Sequence, residues 1–186
     1  MIGYAYCGSF CTHEASFRQM CGLADMGYEI QPIMSETAYS TDTRFGAAED
    51  LRKKMEDRCG RSVIHTIEAA EPLGPRTPLD ALIIAPCTGN TLAKLAAGIA
   101  DTAVCMAAKA HLRSDRPLLI ALATNDAMSA NLKNIGALIG RKNIYFVPML
   151  QDDIVKKPHS LIADLTKLPA ALEALEKRTQ LRPLFL

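Results

Sequence analysis

Short polar side chains suited to holding an anion stand directly after an apolar run in the middle of this chain. The segment from Ile83 to Ala110 is predicted to be a strand, then the turn Cys87-Thr88-Gly89-Asn90-Thr91, then a helix. At a helix N-terminus the first backbone N–H groups have no partner within the helix, and the helix dipole favours negative charge. The turn therefore predicts a binding site for a phosphate or a carboxylate.

Three further turns carry hydroxyl, amide or carboxylate side chains after a predicted strand: Gly8-Ser9, Ser35-Glu36-Thr37 and Thr124-Asn125-Asp126. Ligands of open parallel sheets bind beyond the carboxyl ends of the strands. Taken singly, each turn is more typical of ordinary helix capping than of a ligand site. Four such turns at one edge favour a ligand instead. We predict cofactor contacts for Gly8, Ser9, Ser35, Cys87, Thr88, Gly89, Asn90, Thr91, Thr124 and Asn125.

The chain lacks the two common nucleotide fingerprints. Neither G-x-G-x-x-G nor G-x-x-x-x-G-K-[ST] occurs, so an ordinary NAD domain and a P-loop nucleotidase are disfavoured. The four turns also carry little positive charge, so N–H groups, hydroxyls and helix dipoles would have to hold a phosphate. A mononucleotide such as FMN fits best, because one phosphate needs one cradle.

Two side chains near the predicted edge are candidates for moving protons. His13 lies in the first turn of the first helix, and Asp126 follows the fifth strand. A solvated surface position is the alternative for His13. His65 follows a short predicted segment and either faces the same cleft or lies in the core or at the surface. The four histidines show neither H-x-x-x-H nor H-E-x-x-H spacing, so no metal site is predicted. The pair Lys156-Lys157 is predicted to lie on a solvated face.

Strand-like and helix-like segments alternate along the whole chain, which predicts an α/β fold. We expect one three-layer, Rossmann-like or flavodoxin-like domain over residues 1–186, with a mostly parallel six-stranded sheet. The last predicted helix carries Leu161, Leu165, Leu168, Leu172 and Leu175, and Pro169 should divide it. A helix with Met128 and Leu132 should begin at the Thr124-Asn125-Asp126 cap. The predicted strands are Ile2 to Cys7, Tyr28 to Met34, Leu79 to Ala85, Pro117 to Ala123 and Asn143 to Val147, and Ser62 to Ile67 is predicted to be a short strand or a turn.

Composition narrows the class of protein. The chain has 186 residues, 49% of them hydrophobic, and its 21 basic and 20 acidic residues leave a formal net charge of +1. Such a balance creates no long-range field for nucleic acid or an anionic membrane, so neither partner is expected. No apolar run approaches the ~20 residues of a membrane span, and the first residues carry no basic leader. We therefore predict a cytoplasmic protein.

The apolar tail and the cysteines each allow two interpretations. The tail, residues 180–186, should pack on the body of the domain or on a neighbouring subunit. The six cysteines form no C-x-x-C pair and are predicted to be reduced core thiols. Cys11 and Cys87 are exceptions, because each lies in a strand-to-helix turn where a helix dipole would lower a thiol pKa.

With these residues in view, the chain resembles the flavoprotein family. This family includes phosphopantothenoylcysteine and lantibiotic cysteine decarboxylases, flavin prenyltransferases and the B subunits of dipicolinate synthases. The segment from Pro86 to Asp101 carries the resemblance to the whole family, and the Ala70-Glu71-Pro72-Leu73-Gly74-Pro75 loop resembles the dipicolinate synthase branch in particular. Further similar stretches cover almost the whole chain: Gly8 to Ala15, Thr43-Arg44-Phe45-Gly46, Thr124-Asn125-Asp126-Ala127 and Gln151-Asp152-Asp153.

The resemblance implies an FMN site between subunits of a trimer-based oligomer and a role in dipicolinate formation during endospore development, in the mother cell. Ser9 and the Ser35 turn would approach the flavin phosphate and ribityl chain, and Thr88, Asn90 and Thr91 would complete the cradle. The implied reaction is the dehydration and oxidation of a hydroxylated tetrahydrodipicolinate. The implied partner is the A subunit of dipicolinate synthase, which is a possible source of NAD(P).

One departure from the family separates the alternatives. The decarboxylases carry a Pro-x-Met-Asn motif after the fifth strand, whereas this chain has Ala123-Thr124-Asn125-Asp126. Decarboxylation is therefore disfavoured as the activity. A protein that organises its catalytic partner without turning over substrate is the other alternative, favoured by the apolar tail and the scarcity of acid–base pairs.

Overall fold

The computed structural model describes residues 1–186, and five of its strands form a parallel sheet. Every residue of the first and third strands is buried, as expected of parallel strands covered by helices on both faces. The strands are β1 (Ile2–Tyr6), β2 (Ile30–Met34), β3 (Leu82–Cys87), β4 (Leu118–Thr124), β5 (Ile144–Phe146), β6 (Met149–Leu150) and β7 (Leu161–Ala163).

The strand order creates the crevice that positions the site. Parallel strands lie in the order β2-β1-β3-β4-β5, the flavodoxin-like arrangement, and the direction of winding reverses between β1 and β3. The outer edge of β4 is shared, because its first half pairs with β5 and its last two residues pair with antiparallel β7. The predicted α/β fold with a mostly parallel sheet is confirmed, with seven strands rather than six.

Helices cover both faces of the sheet and bury two apolar clusters. Alternate residues of β1 point to opposite faces, since Tyr4 and Tyr6 join one cluster and Ala5 joins the other. The helices are α1 (His13–Asp25), α2 (Glu36–Ser40), α3 (Ala48–Cys59), α4 (Ile67–Ala70), α5 (Gly89–Ala97), α6 (Ala103–Leu112), α7 (Leu132–Ile139) and α8 (Leu168–Glu176), with short 3-10 turns at Phe10–Thr12 and Leu165–Lys167.

Of the two alternatives for Ser62 to Ile67, a short strand or a turn, the strand is wrong. Only Ile64 bridges to Ile33 of β2, through two backbone hydrogen bonds. Pro32 turns its backbone toward this segment and has no N–H to donate, so the ladder cannot extend toward Ser62. The side-chain amide of Gln31 donates to the Ser62 carbonyl at 3.0 Å instead.

Three predictions for the last third of the chain are also wrong. Leu161 belongs to strand β7 rather than to a helix, because the carboxyl end of β4 offers it a free edge. Pro169 lies in the first turn of α8, where its missing N–H costs no hydrogen bond, so it begins the helix instead of dividing one. The helix predicted after Asp126 begins only at Leu132.

The apolar tail packs on the domain as a short extension of the sheet. Met149 of β6 donates to Leu184 O at 2.9 Å and accepts from Leu186 N at 3.0 Å. Leu184 is buried, whereas Phe185 and Leu186 stay more than half exposed. No helix of the structure has the length and apolar character needed to cross a membrane.

Acid is expected to weaken the fold through one buried histidine. His111 Nε2 lies 2.8 Å from the Pro117 carbonyl, and its Nδ1 is buried without a partner. Burial lowers the pKa of His111 to about 4, so between pH 6.5 and 4 the unfolded chain binds more protons than the folded one. The free energy of unfolding should therefore be about 2 kcal/mol lower at pH 5 than at neutral pH.

Urea unfolding at several pH values measures this effect. In His111→Gln the part of the pH dependence due to this residue should vanish, although the variant is less stable throughout. His159→Gln, at an exposed position, is the matched control and should retain the loss. An unchanged pH dependence in His111→Gln would contradict the assignment.

Candidate functional site

The four polar turns meet at the carboxyl edge of the sheet, and direct contacts link them. Ser35 N donates to Tyr6 O at 2.9 Å, which joins the turn after β2 to the end of β1. Thr91 Oγ1 lies 3.2 Å from Cys7 Sγ, and Ser9 Oγ donates to Ala123 O at 2.7 Å. The turns after β2, β3 and β4 therefore all connect to the turn after β1, at the point where the strand order reverses.

The N-terminus of α5 combines a capping residue with a free amide. Thr88 Oγ1 accepts from Thr91 N at 3.2 Å and contacts the Thr91 hydroxyl at 3.1 Å, so these two hydroxyls are engaged within the protein. The Asn90 side chain is exposed and makes no hydrogen bond. Asn90 is therefore the side chain of this turn that is free to contact a ligand.

Backbone N–H groups without partners supply further donors. Gly8, Ser9 and Asn125 lie outside regular elements, and their N–H groups donate to no protein acceptor. All three residues line a cavity of about 300 Å³ between the turns after β1 and β4. Unpaired N–H groups beside a cavity form a natural site for an anion or a carbonyl oxygen.

The turn after β2 supplies a hydroxyl and a carboxylate to the same edge. Ser35 Oγ accepts from Ala38 N at 3.2 Å, which caps α2 and leaves the hydroxyl proton available. Glu36 Oε1 accepts from Ala103 N at 2.9 Å, which caps the buried start of α6. The Ser35 side chain is thus held in place with a donor to spare.

The carboxylate of Asp126 is hydrogen-bonded to neighbouring side chains. It accepts from Thr124 Oγ1 at 2.6 Å and from Asn131 Nδ2 at 3.0 and 2.9 Å. These hydrogen bonds hold the pKa of Asp126 below its usual value. The group therefore stays ionised at neutral pH. Its geometry suits positioning of the neighbouring turn, and Gly89 packs directly against it.

His13 lies on the other side of the β1 turn. Its Nε2 is 2.7 Å from the Cys7 carbonyl, and its ring is flanked by Tyr6 and Phe10 at 5.5 and 5.1 Å between centroids. Burial lowers the pKa of His13, so the ring is neutral at neutral pH. Because Nε2 must donate to the carbonyl, Nδ1 is left as a proton acceptor without a partner. His13 lines a second cavity, of about 180 Å³, which does not include Asp126.

The remaining predicted residues are placed away from a ligand. Cys87 is fully buried in the core, and burial raises its pKa well above the usual value, so the predicted lowering by the helix dipole is wrong for this thiol. Cys7 shows the same effect, with its pKa raised to about 12. His65 stacks on Tyr39 with ring centroids 3.6 Å apart.

Sequence reasoning missed several residues that line the 300 Å³ cavity. Phe45 reaches it from the loop before α3, and Asp152, Lys157 and Ser160 reach it from the loop between β6 and β7. Lys157 is exposed, as the sequence predicts, and its side chain also lines this cavity. The sequence pointed to these loops only through the family resemblance of residues 43–46 and 151–153. That resemblance does not show which side chains reach the cavity.

Comparison with known proteins places this geometry in a family. The family model "Flavoprotein" matches residues 3–175. The B subunit of dipicolinate synthase from Bacillus subtilis is 44% identical over 98% of this chain and 92% of its own length. The crystal structure of the corresponding B subunit from Bacillus halodurans superimposes with a TM-score of 0.91 and 38% identity, covering 100% of this chain and 95% of that one.

More distant relatives share the fold. A flavin prenyltransferase UbiX from Chlamydia trachomatis is 26% identical over 81% of this chain and 84% of its own length. The FMN-dependent cysteine decarboxylase SpaF superimposes with a TM-score of 0.69 at 24% identity, covering 95% of each chain. The similarity to dipicolinate synthase B subunits is therefore stronger and more complete than the similarity to these other branches.

Proposed function

This chain belongs to the flavoprotein family, and from that premise we propose that it is the flavin-binding B subunit of a dipicolinate synthase. The observation that carries the proposal is the likeness to two such proteins over nearly the full length of each chain. The loop from Ala70 to Pro75 adds to it. Gly74 has φ of +154°, and a Cβ atom there would lie 2.2 Å from the Ala110 carbonyl oxygen in α6. The loop therefore packs closely against α6, and its conformation requires glycine at position 74.

The donors at the carboxyl edge fit FMN. The N–H groups of Gly8 and Ser9, the Ser35 hydroxyl and the Asn90 amide converge on the β1/β3 switch point, where flavodoxin-like sheets bind their ligands. Thr88 and Thr91 shape this cradle through their own hydrogen bond. When bound, FMN supplies a hydride acceptor, the chemistry that an oxidation of this kind requires.

The reaction proposed for the complex removes water and then two hydrogens from a hydroxylated tetrahydrodipicolinate, which gives the aromatic dicarboxylate. In this chain His13 is the candidate proton acceptor, because its ring is neutral and its Nδ1 is free, and it acts from the neighbouring 180 Å³ cavity. Asp126 and Thr124 hold the turn after β4 in place. Asn125 in that turn is exposed and makes no side-chain hydrogen bond, so it is available to the substrate.

We place this chain with the A subunit of dipicolinate synthase and in a homo-oligomer built from trimers, in the cytoplasm of the mother cell. At the carboxyl edge of the sheet, which we call the flavin edge, Asn90 and Asn125 are exposed in the single chain. This exposure supports completion of the site by a neighbouring subunit. The A subunit would be the source of any NAD(P). The chain itself has no G-x-G-x-x-G turn to bind a dinucleotide.

Reconstitution of the two purified proteins tests the proposal. We expect the chain to take up FMN near one equivalent, giving flavin absorption bands, and its mixture with the A subunit to form dipicolinate from the hydroxylated precursor. Each protein assayed alone is the control. If dipicolinate forms at an undiminished rate when the chain carries no flavin, the redox role is wrong and the partner-organising alternative is correct.

A further inference from the structure

The 300 Å³ cavity beside the flavin edge has the walls of a small-molecule site; we call it the loop cavity. It is an open cavity lined by the turn after β1, by Phe45, by the end of β4 and by the loop of residues 151–160. Its size is at the lower end of the range for small-molecule pockets. Gly8 and Ser9 belong both to this cavity and to the flavin cradle, so a ligand here lies beside the cofactor.

The charge in the loop cavity is concentrated in one pair of side chains. Lys157 is its single cation and Asp152 its single anion, and their Nζ and Oδ2 atoms are 2.7 Å apart. This contact uses one of the three N–H donors of the ammonium group, and no other protein acceptor contacts Nζ. The hydrogen bond to Asp152 also raises the pKa of Lys157, which keeps the group charged.

The loop that carries Lys157 is braced by its own hydrogen bonds. Asp153 Oδ1 accepts from the N–H groups of Val155 and Lys156 at 3.2 and 2.8 Å, and Lys157 N donates to Asp153 O at 2.9 Å. His159 O accepts from Met128 N at 2.9 Å, which ties the loop to the turn after β4. Lys157 is therefore presented from a defined turn, and preorganisation of this kind lowers the cost of binding.

The other walls supply an apolar face and neutral donors. Phe10, Phe45 and Ile162 line the cavity, and flat apolar surfaces of this kind suit a six-membered ring. The unpaired N–H groups of Ser9 and Asn125 lie along the same cavity. A cation, neutral donors and aromatic walls together match a ring that carries two carboxylates.

We propose that Lys157 is a specificity-determining residue that binds one carboxylate of a cyclic dicarboxylate in the loop cavity, with Asp152 positioning its ammonium group. The inference rests on the proposed function, since it names the substrate contact beside the same flavin edge. The second carboxylate meets the uncharged donors of Asn125, its backbone N–H and its side-chain amide. Lys157 therefore accounts for a preference for dicarboxylates over monocarboxylates.

Calorimetric binding to the FMN-loaded protein tests the inference. The probes are dipicolinate and its monocarboxylate analogue, pyridine-2-carboxylate, in buffer free of divalent cations because dipicolinate chelates them. We expect Lys157→Met to weaken dipicolinate binding at least about tenfold, the loss typical of a charge-assisted hydrogen bond. Its preference for dipicolinate over the monocarboxylate should shrink by a similar factor.

Lys156→Met is the matched control, because the neighbouring side chain is exposed and does not line the cavity. This variant should leave FMN uptake and the affinity for both carboxylate ligands unchanged. The inference fails if Lys157→Met binds dipicolinate as tightly as Lys156→Met, or if the FMN-loaded protein does not bind dipicolinate. A chain that takes up no FMN overturns the proposed function instead, so the two failures are distinguishable.

Discussion

Replacing Asn90 by aspartate is expected to reduce FMN affinity at least about a hundredfold while leaving riboflavin affinity nearly unchanged. The substitution is isosteric and adds one negative charge at the exposed first turn of α5, where the cradle would hold the phosphate. Two unit charges about 5 Å apart repel by roughly 3 kcal/mol at an effective dielectric constant of 20. Riboflavin lacks the phosphate and escapes this repulsion.

Fluorescence quenching of each flavin, titrated against the purified protein, measures the two affinities. Asn90→Ala is the matched control, because it removes the amide without adding charge and should cost FMN only a few-fold in affinity. High salt should partly restore FMN binding to Asn90→Asp, since it screens an exposed charge. If Asn90→Asp weakens FMN and riboflavin equally, the phosphate does not lie at this helix.

Replacing Gly89 by alanine should destabilise the fold by about 3 kcal/mol and remove FMN binding. A Cβ atom here would lie 2.5 Å from Asn131 Nδ2, 2.6 Å from Thr124 Oγ1 and 2.9 Å from Asp126 Oδ1. These three polar atoms hold one another by hydrogen bonds, so none moves without breaking a partly buried network. The alternative is a shift of α5, which would displace Asn90 from the cradle.

Gly136→Ala is the matched control for this substitution. Gly136 lies in the interior of α7, is exposed, and has no heavy atom within 4 Å of an added Cβ. Alanine there should raise the free energy of unfolding by about 0.5–1 kcal/mol, because it has the higher helix propensity. Urea unfolding and FMN titration of both variants provide the comparison. If Gly89→Ala has normal stability and flavin uptake, the network around Asp126 rearranges to admit the methyl group and the prediction is wrong.

The network around Asp126 also bears on how this chain differs from decarboxylases of its family. According to the resemblance, those enzymes carry a Pro-x-Met-Asn motif after the strand that corresponds to β4. Here an internal carboxylate is bound by Thr124 and by the Asn131 amide at the corresponding place. The carboxylate of this turn is thus satisfied within the turn, and in our proposal Lys157 on another loop supplies the charged donor for a substrate carboxylate.

The fold class and the edge that carries the site follow from local patterns in the sequence. Alternating apolar strands and amphipathic helices leave a covered parallel sheet as the arrangement that buries them. Residues that directly follow a strand necessarily lie at its carboxyl end, which is why the turns at Ser9, Ser35, Thr88 and Thr124 could be assigned to one edge from their order alone. Local patterns sufficed because each of these positions depends only on the strand beside it.

Which residues face one another across that edge depends on the long-range packing of the fold. The pairing of Lys157 with Asp152 beside Phe45 depends on loops far apart in the chain, and no periodicity records such a meeting. The same holds for β7, which became a strand because β4 offered it a free edge. Hydrogen bonding also separates polar residues that look alike in the sequence. Asp126 is hydrogen-bonded to Asn131, whereas the Asn90 side chain has no hydrogen-bond partner. Long-range contacts therefore selected the ligand-facing side chains from the many polar residues of the turns.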